Sequence, residues 1–92
     1  MTLSDQNKSD LLKRLARVEG QVRGVQRMVG EDNHCGDVLN QIASTQEALR
    51  GAAALLLRNH LNTCVADTVR EGDDSDVQQS LDEVMKLVKR LR

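Results

Sequence analysis

Not one Phe, Tyr or Trp occurs in the 92 residues of this chain, and there is no Pro. A core must therefore be assembled from Leu, Val, Ile, Ala and Met, which bury less apolar area per residue than aromatic rings do. A chain this short already hides a modest fraction of its surface on folding, and often relies on a second chain, a metal or disulfides. Together these facts predict one thin domain, 1–92, completed by another copy of itself. Leu, Ala, Arg, Gln and Glu dominate, while the β-branched, aromatic-rich runs that make strands are missing. The expected fold class is all-α.

Periodicity divides the chain into three helices, at about 5–30, 37–70 and 75–91. Leu11, Leu15, Val18, Val22, Val25 and Val29 alternate four and three apart, a heptad seam on the first helix. Ser4 or Ser9, with Asp5 or Asp10, can cap its start, and Gly30 before Glu31-Asp32-Asn33 ends it. The second helix carries a broad apolar face from Val38 and Ile42 through Leu49, Ala52, Leu56 and Leu57 to Val65 and Val69. Its small residues around Gly51 invite close approach by another helix. Gly72 and the acidic run after it close this helix. Ser75 and Gln78 form a capping-box pair for the third, whose seam is Val77, Leu81, Val84, Val88 and Leu91. Three helices with purely aliphatic seams are best satisfied by an antiparallel four-helix-bundle homodimer.

The net charge of −1 does not by itself predict a nucleic-acid partner, but its distribution is uneven. Between Lys13 and Arg27 the first helix carries five basic residues, Lys13, Arg14, Arg17, Arg23 and Arg27, against a single acid, Glu19. On one chain this reads equally well as a solvated helix face, paired with Asp10, Glu19 or Glu47. Repeated across an oligomer it becomes a phosphate-binding surface, with Arg14, Arg17 and Arg23 foremost and Arg50 an additional candidate. With no helix-turn-helix pattern and no interleaved aromatics, such a surface would read DNA backbone and shape more than bases.

Several classes are disfavoured. No apolar run approaches a membrane span, and the N-terminus lacks the layout of a signal peptide, so the cytoplasm and reduced thiols are expected. No nucleophile–base–orienter set and no phosphate loop point to an enzyme or a small-molecule substrate.

The chemistry-bearing residues are Cys35, His60 and Cys64. His60 and Cys64, four apart, share one helix face and suit two ligands of one metal. Cys35 stands at the far end of the same helix, roughly 43 Å from Cys64 if the rod is continuous. No single rod can join the two sulfurs, and an internal disulfide is excluded for the same reason. In an antiparallel pair, however, Cys35 of one subunit meets His60 and Cys64 of its partner, twice by symmetry. Two thiolates and an imidazole suit three-coordinate Cu(I); Zn(II) would want a fourth ligand, for which the neighbouring His34 is a candidate. Spacing alone leaves room for buried cysteines and a merely exposed histidine. Cys35, near a helix start, is also the better placed of the two for thiol chemistry.

Three blocks make the pattern specific: Arg14-Leu15-Ala16-Arg17-Val18-Glu19-Gly20-Gln21-Val22-Arg23-Gly24-Val25, Cys35-Gly36-Asp37-Val38-Leu39-Asn40-Gln41-Ile42 and His60-Leu61-Asn62-Thr63-Cys64-Val65. In this order they resemble the copper-sensitive operon repressor (CsoR) family over essentially the whole chain. The resemblance implies antiparallel four-helix-bundle dimers paired into tetramers, binding operator DNA without effector. It implies release on Cu(I) binding between subunits by Cys35, His60 and Cys64, and derepression of metal efflux or detoxification genes. Nickel/cobalt relatives carry His in place of Cys64 and a further N-terminal His, formaldehyde relatives an acid in place of Cys64, and persulfide sensors keep both Cys but lack the His at position 60, so the three positions here follow the copper pattern. Two places depart from it. His34 stands where copper sensors often have Tyr, and Ser80 where they have Glu, groups that orient the ligands. The alternatives are therefore a Ni(II) or Zn(II) sensor recruiting His34, and a thiol-based formaldehyde or persulfide sensor.

Overall fold

The computed structural model describes residues 3–62 and 66–91, and among these every element is helical: α1 (Asp5–Gly30), α2 (Cys35–His60), α3 (Ala66–Glu71) and α4 (Asp74–Arg90). Ser4 opens α1, its Oγ accepting the Asn7 N–H at 3.1 Å. The end of α1 is a Schellman turn: Asn33 N–H donates to Met28 O at 3.0 Å and Asp32 N–H to Val29 O at 3.1 Å. Its left-handed residue is Asp32, at φ 57°, and not Gly30. An aspartate can occupy that region because its short side chain bonds locally. This four-residue turn reverses the chain, and α2 runs back antiparallel along α1.

Four helices stand where periodicity predicts three. The second begins at Cys35, two residues earlier than the pattern suggests, and its regular pairing stops at His60. Leu61 and Asn62 take wider, π-type pairing, and α-helix resumes at Ala66. Asn59, His60, Asn62 and Thr63 are all poor helix formers, and apolar periodicity, which continues through them, carries no sign of that weakness. α3 ends in a tight turn at Gly72, where an added Cβ would lie 2.6 Å from Thr68 O and 2.9 Å from Asp76 Cβ. Only glycine fits there. The capping box of α4 is made by Asp73 and Asp76, not Ser75 and Gln78. Asp73 Oδ1 accepts the Asp76 N–H at 2.9 Å, and the Asp76 carboxylate in return accepts the Asp73 N–H at 3.4 Å.

The subunit is a slab, 57 × 27 × 12 Å, with a radius of gyration of 17.6 Å. A globular domain of this length would have about 12 Å. Among the described residues the buried apolar ones are Val18, Ala52 and Val84, one each from α1, α2 and α4. The rest of the predicted seams is only partly used. Leu15, Val22, Val29, Ile42, Leu49, Leu81 and Leu91 remain exposed. No helix among the described residues is long and apolar enough to cross a membrane.

Candidate functional site

Cys35 is the first residue of α2, exposed and unbridged. His60 is the last, half-buried. At 1.5 Å per residue the helix holds them about 38 Å apart, whereas metal–sulfur and metal–imidazole bonds are near 2 Å. One chain cannot bring both to a single ion. Consistent with this, no three His, Cys, Asp or Glu side chains converge among the described residues. Cys64 lies outside the described residues.

His34 has work of its own. It is the N-cap of α2, and the Gly36 N–H donates to its Nδ1 at 3.1 Å. Gly36 makes this possible, since a Cβ there would press within 3.1 Å of the ring. An imidazole that accepts through Nδ1 carries its proton on Nε2, so in this arrangement it has no lone pair left for a metal. Serving as a fourth ligand would cost the helix its cap. Replacing His34 by Asn or Asp, which keep an acceptor at that place, is therefore expected to leave Cu(I) affinity within about twofold of wild type. His34→Ala should lose about 1 kcal/mol of stability in chemical denaturation. A tenfold loss of metal affinity in His34→Asn would instead make His34 a ligand.

At the other end of α2, His60 lines an apolar cavity of about 400 Å³ with Ala53, Leu56 and Leu57 of α2, Leu87 and Arg90 of α4, and Leu91 just after it. The C-terminal end of α4 thus returns to the turn of α2 that bears the histidine. Ser80 faces elsewhere, on a polar cavity with Asp67, Thr68 and Glu71 of α3. On a neighbouring face of the same turn, Asn59 is buried and accepts a 2.8 Å hydrogen bond from Asn7 Nδ2 of α1. The sequence reading passed over this pair. The available signal was a lone amide seven residues after Ala52, in the column that faces α1.

The candidate phosphate-binding arginines are all exposed. Arg14 reaches across to α2, its Nη1 3.6 Å from where a Gly51 Cβ would stand, which places it beside Arg50. The small residue at 51 is what lets it lie there. Arg23 pairs with Glu19 at 3.5 Å and Arg50 with Glu47 at 2.9 Å, both well exposed and so cheap to exchange for phosphate. Arg14 and Arg17 have no ion pair among the described residues. Arg90, absent from the candidate set, shares a shallow cavity with Arg50, a proximity that only the return of α4 along α2 creates.

Comparisons with known proteins agree with this architecture. The copper-sensing transcriptional repressor CsoR of Bacillus subtilis (strain 168) is 42% identical over 83 residues, covering 90% of this chain and 82% of the relative. The copper-sensing transcriptional repressor RicR of Mycobacterium tuberculosis (strain ATCC 25618 / H37Rv) is 54% identical over 67 residues, 73% of this chain and 70% of the relative. The crystal structure of the copper-sensing repressor CsoR with Cu(I) from Geobacillus thermodenitrificans NG80-2 superposes with a TM-score of 0.86 at 43% identity, covering 98% of this chain and 91% of that one. The nickel-responsive transcriptional regulator InrS follows at 0.76 and 36% identity, covering 100% and 97%. Residues 7–90, from the first turn of α1 to the end of α4, match the family model described as metal-sensitive transcriptional repressor, and it is to this family of repressors that the chain belongs.

Proposed function

We propose that this protein is a copper-responsive repressor which binds operator DNA without metal and lets go when Cu(I) binds between two subunits, Cys35 coming from one and His60 and Cys64 from the other. The observation that carries the reading is the placement of Cys35 and His60 at opposite ends of one 26-residue helix. A partner lying antiparallel on the exposed apolar side of the slab brings the start of its α2 to the end of this one. Two thiolates and one imidazole form a soft, three-coordinate set suited to Cu(I). The relatives named as copper-sensing support the same metal.

A nickel-responsive reading has InrS in its favour. It asks for further nitrogen ligands, and His34, the nearest, is engaged as a helix cap. Copper is therefore the better reading. In a dimer or dimer of dimers, the repeated α1 faces, with Arg14, Arg17 and Arg23 and with Arg50 beside them, supply the phosphate-binding surface. Derepressed genes would then serve metal efflux or detoxification, with the protein acting in the cytoplasm.

The test is anaerobic fluorescence anisotropy on a labelled duplex selected by the metal-free protein from fragmented genomic DNA. One Cu(I) per subunit is expected to weaken binding by about 10- to 100-fold, within the usual range of coupling between two sites. Unchanged affinity would sink the regulatory reading. A response to Ni(II) larger than that to Cu(I) would reassign the metal.

A further inference from the structure

Among the described residues, α1 and α2 are tied by a side-chain hydrogen bond at one place, Asn7 Nδ2 to Asn59 Oδ1 at 2.8 Å. Asn59 is 6% exposed and is the one buried polar residue among them. Elsewhere the seam between the two helices is largely aliphatic, with Val18 and Ala52 buried and Val18, Val22 and Val25 of α1 lining a groove with Ile42 and Leu49 of α2, and aliphatic ridges tolerate slippage. An amide pair in such a seam does not, because sliding breaks a directional bond between two side chains of fixed reach. The pair therefore fixes the register of α1 against the last turn of α2.

That turn is also the effector end. Asn59 and His60 are consecutive, so they point about 100° apart, Asn59 toward α1 and His60 into the cavity against α4. Regular α-pairing gives way just beyond, at Leu61 and Asn62, where the helix can shift locally without unravelling α2. Asn7 has its backbone N–H held by Ser4 Oγ at 3.1 Å, so its side chain reaches across from an anchored first turn. Two turns on, Arg14 lies over Gly51. A reorientation of the turn around His60 must either carry Asn7 with it, and so move the basic helix, or break the bond.

We propose that Asn7 and Asn59 are positioning residues, a latch through which metal bound at His60 sets the placement of α1. This rests on the copper-responsive reading above. The experiment compares wild type with Asn7→Leu, which keeps the bulk and removes the bond, and with Asn7→Asp, which can still accept a hydrogen bond from a rotated Asn59 amide. Cu(I) affinity, measured against a chelator, should stay within about threefold in both variants, since neither touches a ligand. The ratio of operator affinities without and with Cu(I) should collapse by about tenfold in Asn7→Leu and be largely kept in Asn7→Asp. A merely structural role lowers both operator affinities alike and leaves their ratio unchanged, which overturns the proposal.

Hydrogen exchange on the wild type gives a second readout that needs no variant to fold. Cu(I) should change exchange in the first turns of α1 by about fivefold or more. No change there also overturns the latch. If wild type binds Cu(I) and changes its exchange in α1, yet holds DNA unchanged, the regulatory reading fails and the latch stands.

Discussion

Cys35→Ala subunits alone, and His60→Ala/Cys64→Ala subunits alone, are expected to bind no Cu(I) tightly, and a mixture of the two is expected to regain binding. The reasoning follows from the length of α2. With Cys35 and His60 about 38 Å apart, each metal must take its ligands from both ends of the assembly, one end from each subunit. In a mixed dimer one site then contains Ala at every ligand position. The other combines an intact Cys35 from the double variant with intact His60 and Cys64 from the single variant. Random exchange makes half of all dimers mixed, each with one site where wild type has two, so the mixture should recover about a quarter of wild-type capacity.

The same mixture gives the opposite result if the site lies within one chain, because every subunit then lacks at least one ligand and capacity stays at zero. Each parent alone should lose several orders of magnitude in affinity, since Cys35→Ala leaves two of the three ligands and the double variant only one, and either leaves the ion open to chelators. Competition titration under anaerobic conditions reads both numbers. The lack of Trp and Tyr leaves the near-ultraviolet open for thiolate charge-transfer absorption.

How much of this was legible beforehand differs between elements for physical reasons. Heptad spacing from Leu11 to Val29 located α1 well, because a long run of consistent periodicity outweighs any local preference. The break after His60 escaped notice because Leu57, Leu61, Val65 and Val69 keep the apolar period running through a stretch of weak helix formers. Periodicity reports which face is apolar, not whether the backbone stays α-helical. Caps were less readable still. Ser4 is one of the alternatives that residue type offered for α1, but Asp73–Asp76 replaced Ser75–Gln78, and His34 took a capping role that its type does not advertise. Cys35 and His60 were singled out by residue type and spacing, whereas the Asn7–Asn59 bond depends on the packing of α1 against α2, and the approach of Arg90 to Arg50 on the end of α4 sharing a cavity with α2.

Leu49→Asp is expected to abolish the folded assembly while leaving every candidate ligand and arginine in place. Leu49 is 50% exposed in the single subunit, at the centre of α2, beside Val22 and Ile42, which are exposed as well. With Val18 and Val25 these side chains line an apolar groove of about 250 Å³ between α1 and α2. A core of Val18, Ala52 and Val84 is too small to offset the entropy of ordering three long helices. Most of the stabilising burial must come from a second copy on this face. A carboxylate there is accommodated by a lone subunit, where water reaches it, but an interface that dries position 49 must desolvate two of them per dimer. At about 3 kcal/mol or more each, dimerisation weakens by more than about a thousandfold. Because the isolated slab has little core of its own, dissociation should be accompanied by loss of the helical dichroism signal at micromolar concentration. For the wild type, sedimentation should show a dimer or larger and a melting temperature that rises with concentration. A wild type that sediments as a monomer, or a Leu49→Asp protein that stays dimeric and fully helical, would place the partner on another face and remove the geometry that lets Cys35 meet His60.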